Sequence, residues 1–132
     1  MRISPHLLFS GDCRHAIDLY VSAFNADVRS LSTYLELDMA VPPGMEDRIA
    51  AAMLTLGNVY VRLSDTLGHD AAERGRRVLM LVEGTAPQIQ QAQEVLLEEG
   101  AQLPTLSPGS GRPSSTVCDR FGVVWQLVSL ER

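Results

Sequence analysis

Few side chains in this 132-residue sequence stand where they could do chemistry, and each has a plainer use beside the chemical one. Cys13 falls at the start of a helical stretch, where the helix dipole can lower a thiol's pKa and make it a nucleophile. It has no identifiable His partner, and the second cysteine, Cys118, is remote in sequence. His15 and His69 lie beside charged residues with no motif around them. A general base needs a partner within hydrogen-bond reach, so both read as surface histidines. Gly109-Ser110-Gly111-Arg112 could cradle an anion on backbone amides, with Arg112 adding charge, but no helix starts directly after it and it reads as a loop. Asp65 and Asp119 sit at hairpin or loop edges, where a carboxylate ordinarily caps a turn. Tyr34, Tyr60 and Trp125 carry a polar tip on an apolar body, which suits core edge or pocket wall. Arg62 is a charge inside an apolar strand, flanked by Val61 and Leu63. It either snorkels to water at a sheet edge or pairs with an acid or a ligand.

Composition removes whole classes of function. All 11 basic residues are Arg and none is Lys, against 16 acidic residues and a net charge of −5. A nucleic-acid partner needs a basic face, which the Arg74-Gly75-Arg76-Arg77 patch alone does not make. Without lysine there is no Schiff base and no P-loop lysine. Gly-x-Ser-x-Gly is absent, so a hydrolase nucleophile elbow has no support. The longest apolar stretches, such as Val78–Val82, fall far short of the ~20 residues that span a bilayer. No signal-peptide pattern opens the chain, and two cysteines make no disulfide framework, so the expectation is a cytoplasmic protein with reduced thiols. Arginine in place of lysine throughout hints at a GC-rich bacterial genome.

The elements that must position these residues come as two similar halves. The first opens with an apolar run, Ile3 to Phe9, then Ser10-Gly11, then a helix from Cys13 to about Phe24 with Ile17, Tyr20, Val21 and Phe24 on one stripe. Asp12 is placed to cap its start and Asn25 to stop it. The second opens with Val78 to Val82, then Glu83-Gly84, then a helix from about Ala86 to Glu99. Thr85 and Gln88 form a capping box for it, Ile89, Ala92, Leu96 and Leu97 its stripe, and Gly100 its stop. Each half closes with a strand, a glycine turn and a strand: Ala50–Leu56 with Val59–Leu63, and Ser115–Cys118 with Val123–Leu130. One further strand fits in each, Val28–Leu37 and Gln102–Leu106. Residues 38–48, 66–77 and 104–114 are dense in chain breakers and read as loops, either binding lids or disorder. The fold class is α+β: one domain over residues 1–132, built of strand–helix–three-strand modules at about 1–65 and 77–132.

This doubled unit resembles the vicinal oxygen chelate superfamily, which includes glyoxalase I and bleomycin-resistance proteins, and within it the PhnB-like branch. The likeness is carried by Ser4 to Cys13 with Ala16 to Tyr20, by Phe24-Asn25-Ala26-Asp27-Val28, by Leu63-Ser64-Asp65, and by Cys118 to Gln126, and it spans nearly the whole chain. It implies two βαβββ modules in a cupped mixed or antiparallel sheet, and commonly a homodimer. The superfamily's enzymes hold a divalent metal on the first and fourth strands of each half. Matched residue by residue, those positions fall on Pro5, Val61, Val78 and Gln126, of which only Gln126 offers a donor. Alternation turns His6 away from the cup, and only a one-residue bulge would bring it round as a ligand. Thr105-Leu106-Ser107-Pro108 departs from the stretch common in relatives before the last hairpin, so no relative's ligand carries across.

Alternation from those anchors predicts a cup lined by Leu7, Phe9, Val59, Val61, Met80, Val124, Gln126 and Val128, apolar with one amide, and puts Trp125 on the helix-packing face. Such a lining suits holding a small, partly apolar molecule. The expected function is a metal-free small-molecule binding protein with no cofactor, sequestering a drug or metabolite. The alternatives are a metal-dependent lyase, isomerase or dioxygenase using His6, Gln126 or the loop acids Glu36, Asp38 and Glu46, and a structural or regulatory partner with no working pocket.

Overall fold

The computed structural model describes residues 2–67, 78–104 and 114–130. The elements follow the order β1 (His6–Phe9), α1 (Cys13–Phe24), β2 (Asp27–Thr33), β3 (Ile49–Leu56), β4 (Val59–Asp65), β5 (Met80–Gly84), α2 (Ala86–Leu96), β6 (Ala101–Leu103), β7 (Ser114–Cys118) and β8 (Val124–Ser129). They form two four-stranded sheets of the same topology, ordered β1-β4-β3-β2 and β5-β8-β7-β6. In each sheet the first strand runs parallel to the fourth and the remaining pairs are antiparallel. The chain divides into two compact units: one holds the first sheet and most of α1, the other the second sheet, α2 and the short segment Ser22–Phe24. No helix among the described residues is long and apolar enough to cross a membrane.

Local chemistry sets the element ends. Asn25 stops α1 in the left-handed region, at φ 52. Gly57 turns β3 into β4 at φ 59, which a side chain would oppose. Strand β2 ends at Thr33 rather than running to Leu37, because Thr33 and Glu36 bond each other reciprocally: Thr33 N–H donates to Glu36 Oε1 at 3.0 Å, and Glu36 N–H to Thr33 Oγ1 at 3.1 Å. That closed turn carries the chain on to Asp38 at φ 54.

The two helices are capped by different means. The Thr85–Gln88 capping box forms on α2 as expected. Asp12 occupies the cap position of α1, yet its side chain makes no capping bond. The cap comes instead from Asp65 at the end of β4, whose Oδ1 accepts from Gly11 N–H at 2.7 Å and Cys13 N–H at 3.0 Å. Helix α2 is shorter than expected, ending at Leu96 with Glu99, not Gly100, in the left-handed region. Glycine at 100 serves close approach: a Cβ there would lie 2.5 Å from the Leu96 carbonyl oxygen and 2.8 Å from that of Cys118.

Each sheet buries the face it turns to a helix. In the first, Phe9, Ala52, Leu54, Val61 and Leu63 are all buried, and their register places them on one side. Asp65 shares that side and holds the start of α1, so it is the helix side. In the second sheet Trp125 and Leu127 are buried on the helix side, opposite Val117 of β7, and the Trp125 ring lies 4.9 Å from the ring of Phe24.

Candidate functional site

The face of the first sheet turned away from α1 carries the polar side chains. Parallel pairing sets His6 beside Arg62 and Leu8 beside Ser64. Antiparallel pairing extends those rows to Met53 and Tyr60 to Thr55, and on β2 to Ser30, Ser32 and Asp27. His6 and Arg62 are exposed, while Ser64 is buried beneath the imidazole. His6 Nε2 and Ser64 Oγ share a hydrogen bond of 2.8 Å, and the Arg2 guanidinium lies over the Tyr60 ring at 5.2 Å. On the corresponding face of the second sheet, Gln126 is flanked by Leu81 on β5 and Thr116 on β7. Val124, Val128 and Glu83 share that face. Thr116 is 1% exposed, and its Oγ1 has no hydrogen-bond partner among the described residues.

These placements correct the expected cup lining. Val124, Gln126 and Val128 do lie together on the face away from α2. Leu7, Phe9, Val59 and Val61 lie on the helix side of the first sheet, and Met80 shares its side with Trp125. Counting from Tyr20, Gly57 and Gly84 put β1, β4 and β5 one residue out of phase, and with a period of two that reverses every side chain. The same correction moves Pro5, Val61 and Val78 off the open faces and brings His6 and Arg62 onto one. Arg62 held the missing signal, since a guanidinium cannot enter the dry layer that takes Val61 and Leu63.

The other candidates are bound up in structure. Both oxygens of Asp65 are engaged, Oδ2 by Ile49 N–H at 2.9 Å, and Tyr34 Oη donates to the Asp65 carbonyl at 2.7 Å. Burial first, then the Asp65 carboxylate, raises the Tyr34 phenol above its ordinary value. Asp119 accepts from Phe121 N–H at 2.9 Å, Val123 N–H at 3.0 Å and the Trp125 indole N–H at 2.9 Å. Glu46 accepts from Gly44 N–H. Glu36 is held below its usual value by the Thr33 backbone and hydroxyl. His69, Arg74 to Arg77, Gly109 to Arg112 and most of loops 66–77 and 104–114 lie outside the described residues.

Cys13 is the clearest departure from its chemical reading. It is fully buried, and burial, reinforced by the Asp65 carboxylate, pushes its thiol from 9.0 up to about 12, outweighing the helix terminus. In native protein only Cys118, which is partly exposed, should react promptly with a thiol-specific disulfide reagent, and both should react after denaturation. Prompt labelling of Cys13 in a Cys118→Ser chain would refute this. The sign with pH follows: the unfolded thiol ionises above 9.0 while the folded one stays neutral, so its contribution to stability is lost as pH rises from 9.0 to about 12.

Comparison with known proteins now places the fold. A family model described as 3-demethylubiquinone-9 3-methyltransferase matches residues 1–128. The chain belongs to that family. It is PhnB-like and falls within the vicinal oxygen chelate superfamily. A PhnB protein of Bacillus cereus, described under the same methyltransferase name, is 25% identical with a TM-score of 0.81, over 98% of this chain and 99% of its own. Protein PA1353 of Pseudomonas aeruginosa is 23% identical with a TM-score of 0.80, over 98% and 97%. The fosfomycin resistance protein FosX of Listeria monocytogenes shares the fold at 10% identity and a TM-score of 0.71, over 98% and 92%. One FosX structure holds Mn(II) and 1S,2S-dihydroxypropylphosphonic acid. No curated protein matches the chain.

The described residues on these strands do not make a divalent-metal ligand set. In the first sheet the in-phase positions are His6 and Arg62, side by side, and a guanidinium beside a candidate ligand repels a cation. In the second, Gln126 has Leu81 across from it. Among the described residues, no three His, Cys, Asp or Glu side chains come together as a metal site.

Proposed function

We propose that this PhnB-like chain is a metal-free, cytoplasmic small-molecule binding protein of the glyoxalase/bleomycin-resistance type, working as a homodimer. The observation that carries the reading is Arg62 standing beside His6, on a strand where the superfamily places a metal ligand. The buried Thr116 hydroxyl beside Gln126, without a partner among the described residues, gives a further reason to expect a ligand, because an unsatisfied buried hydroxyl is costly unless something bonds it. The decisive experiment is elemental analysis of the purified protein, followed by melting scans with Zn²⁺, Ni²⁺, Mn²⁺ and Fe²⁺. The expected result is no stoichiometric metal and no specific stabilisation, from a particle of twice the 14.4 kDa chain mass. A metal specific to the folded state, present at 100 times its Kd, should add ~2.7 kcal/mol. One tightly held metal per chain overturns the reading.

The family's description carries a second reading, methyl transfer to a hydroxyl acceptor. It is favoured by exposed His6, an imidazole able to take the proton that the acceptor oxygen loses. Release of S-adenosylhomocysteine from S-adenosylmethionine and a phenol, abolished by His6→Ala, would select it over binding alone.

A further inference from the structure

We propose that the face of the first sheet turned away from α1 seats an oxyanionic group, a carboxylate or a phosphoryl, on the Arg62 guanidinium. The proposal rests on the binding reading and names the chemistry of what is bound. An arginine in a strand ordinarily reaches water past a sheet edge. Arg62 instead stands on the exposed face of an interior strand, with β1 on one side of β4 and β3 on the other.

Among the described residues no acid partner stands beside it either. The register surrounds Arg62 with His6 and Met53 laterally and Tyr60 and Ser64 along its own strand. The diagonal positions are Leu8, Ala51 and Thr55. None carries a negative charge, and Asp27 lies on β2, beyond Thr55. Neighbouring strands are ~4.8 Å apart, so that carboxylate is two strands away. Two other arginines are engaged: Arg48 donates to the Thr66 carbonyl at 2.8 Å, and Arg120 pairs with Glu99 at 3.3 Å.

What surrounds Arg62 favours an anion. His6 is fixed next to it by the bond to Ser64, and Arg2 over Tyr60 adds a second positive charge to the same face. Ala51 and Ser30 are small and exposed, and Ser32 is small and half-buried, so these neighbours put nothing large over the guanidinium. A guanidinium fork matches the two oxygens of a carboxylate or phosphoryl group, with charge assistance in each bond.

The test uses the full chain, stripped with EDTA, titrated with benzoate, phenylphosphonate and the neutral isostere benzamide while the NMR signals of the Arg62 side chain are followed. One or both anions should bind and move those signals, with benzamide at least tenfold weaker; which anion wins tells carboxylate from phosphoryl. Arg62→Gln should weaken the anion at least tenfold and Arg62→Lys less, each with an unchanged backbone spectrum. Benzamide binding as tightly as the anions, an unaffected Arg62→Gln chain, or no anion binding by the folded protein would each overturn the proposal. The first two leave the binding reading standing. Anion binding that appears only after Mn²⁺ or Zn²⁺ is restored sinks both.

Discussion

Asp65→Asn is expected to cost this chain ~3 kcal/mol, from donor bonds worth about 1–3 kcal/mol each when one partner is removed from a buried pair. Asp65 is 2% exposed and its carboxylate serves three backbone amides at two places. Oδ1 takes the Gly11 and Cys13 amides at the start of α1, and Oδ2 takes the Ile49 amide where β3 begins. Asparagine has one acceptor oxygen. If that oxygen stays with the helix, the amide NH₂ meets the Ile49 N–H donor to donor; if it turns round, α1 loses its cap. Charge-assisted bonds become neutral in either pose. For a domain of this size the melting temperature should fall by roughly 10 °C. Asp65→Ala should fall at least as far, and a loss below ~1 kcal/mol in chemical denaturation would mean water or another side chain replaces the carboxylate.

That dependence shows what the sequence could and could not reveal. The α2 capping box is legible because Thr85 and Gln88 stand three apart. The α1 cap is not, because Asp65 lies 54 residues from Gly11 and Asp12 stands locally where a cap should be. Nor could the internal repeat disclose it, since the register counterpart of Asp65 in the second sheet is Ser129. Strand number and order along the chain follow from apolar runs and glycine turns, which are local signals. The phase of a strand is a different kind of fact: it depends on how many residues link it to its neighbours, and an error of one reverses its faces. Val61 and Arg62 therefore exchanged roles between expectation and structure, as did Pro5 and His6, while β8 kept its phase because Trp125 marks the dry side unmistakably.

The same correction changes the chemistry expected of the site. A lining of Leu7, Phe9, Val59 and Val61 would select ligands by shape and hydrophobicity alone. Tyr60, Arg62, Ser64 and His6 add a fixed charge and directed hydrogen bonds, which discriminate more strongly among small molecules. Apolar surface remains nearby, with Leu8 and Tyr60 both well exposed on that face. A ligand with one anionic end and an apolar body would meet both, so the anion series uses aromatic probes rather than inorganic ions.

In the second unit, Trp125→Phe and Asp119→Ala should each destabilise the fold by ~2–4 kcal/mol, and together by less than their sum. Trp125 is 1% exposed, so phenylalanine leaves a void the size of the missing ring and removes the N–H that Asp119 Oδ2 accepts at 2.9 Å. Alanine at 119 removes that acceptor and also frees Phe121 and Val123 N–H, which Oδ1 holds across the turn before β8. Once either partner is gone, the indole–carboxylate bond cannot be lost again, and the double variant should recover ~1–2 kcal/mol relative to additivity. Unfolding must be followed by circular dichroism, because Trp125 is the chain's only tryptophan. Strict additivity would mean the indole bond contributes nothing and Asp119 acts through its turn alone. A deficit larger than either single loss would instead mean that the first substitution already unfolds the β7–β8 end of the sheet.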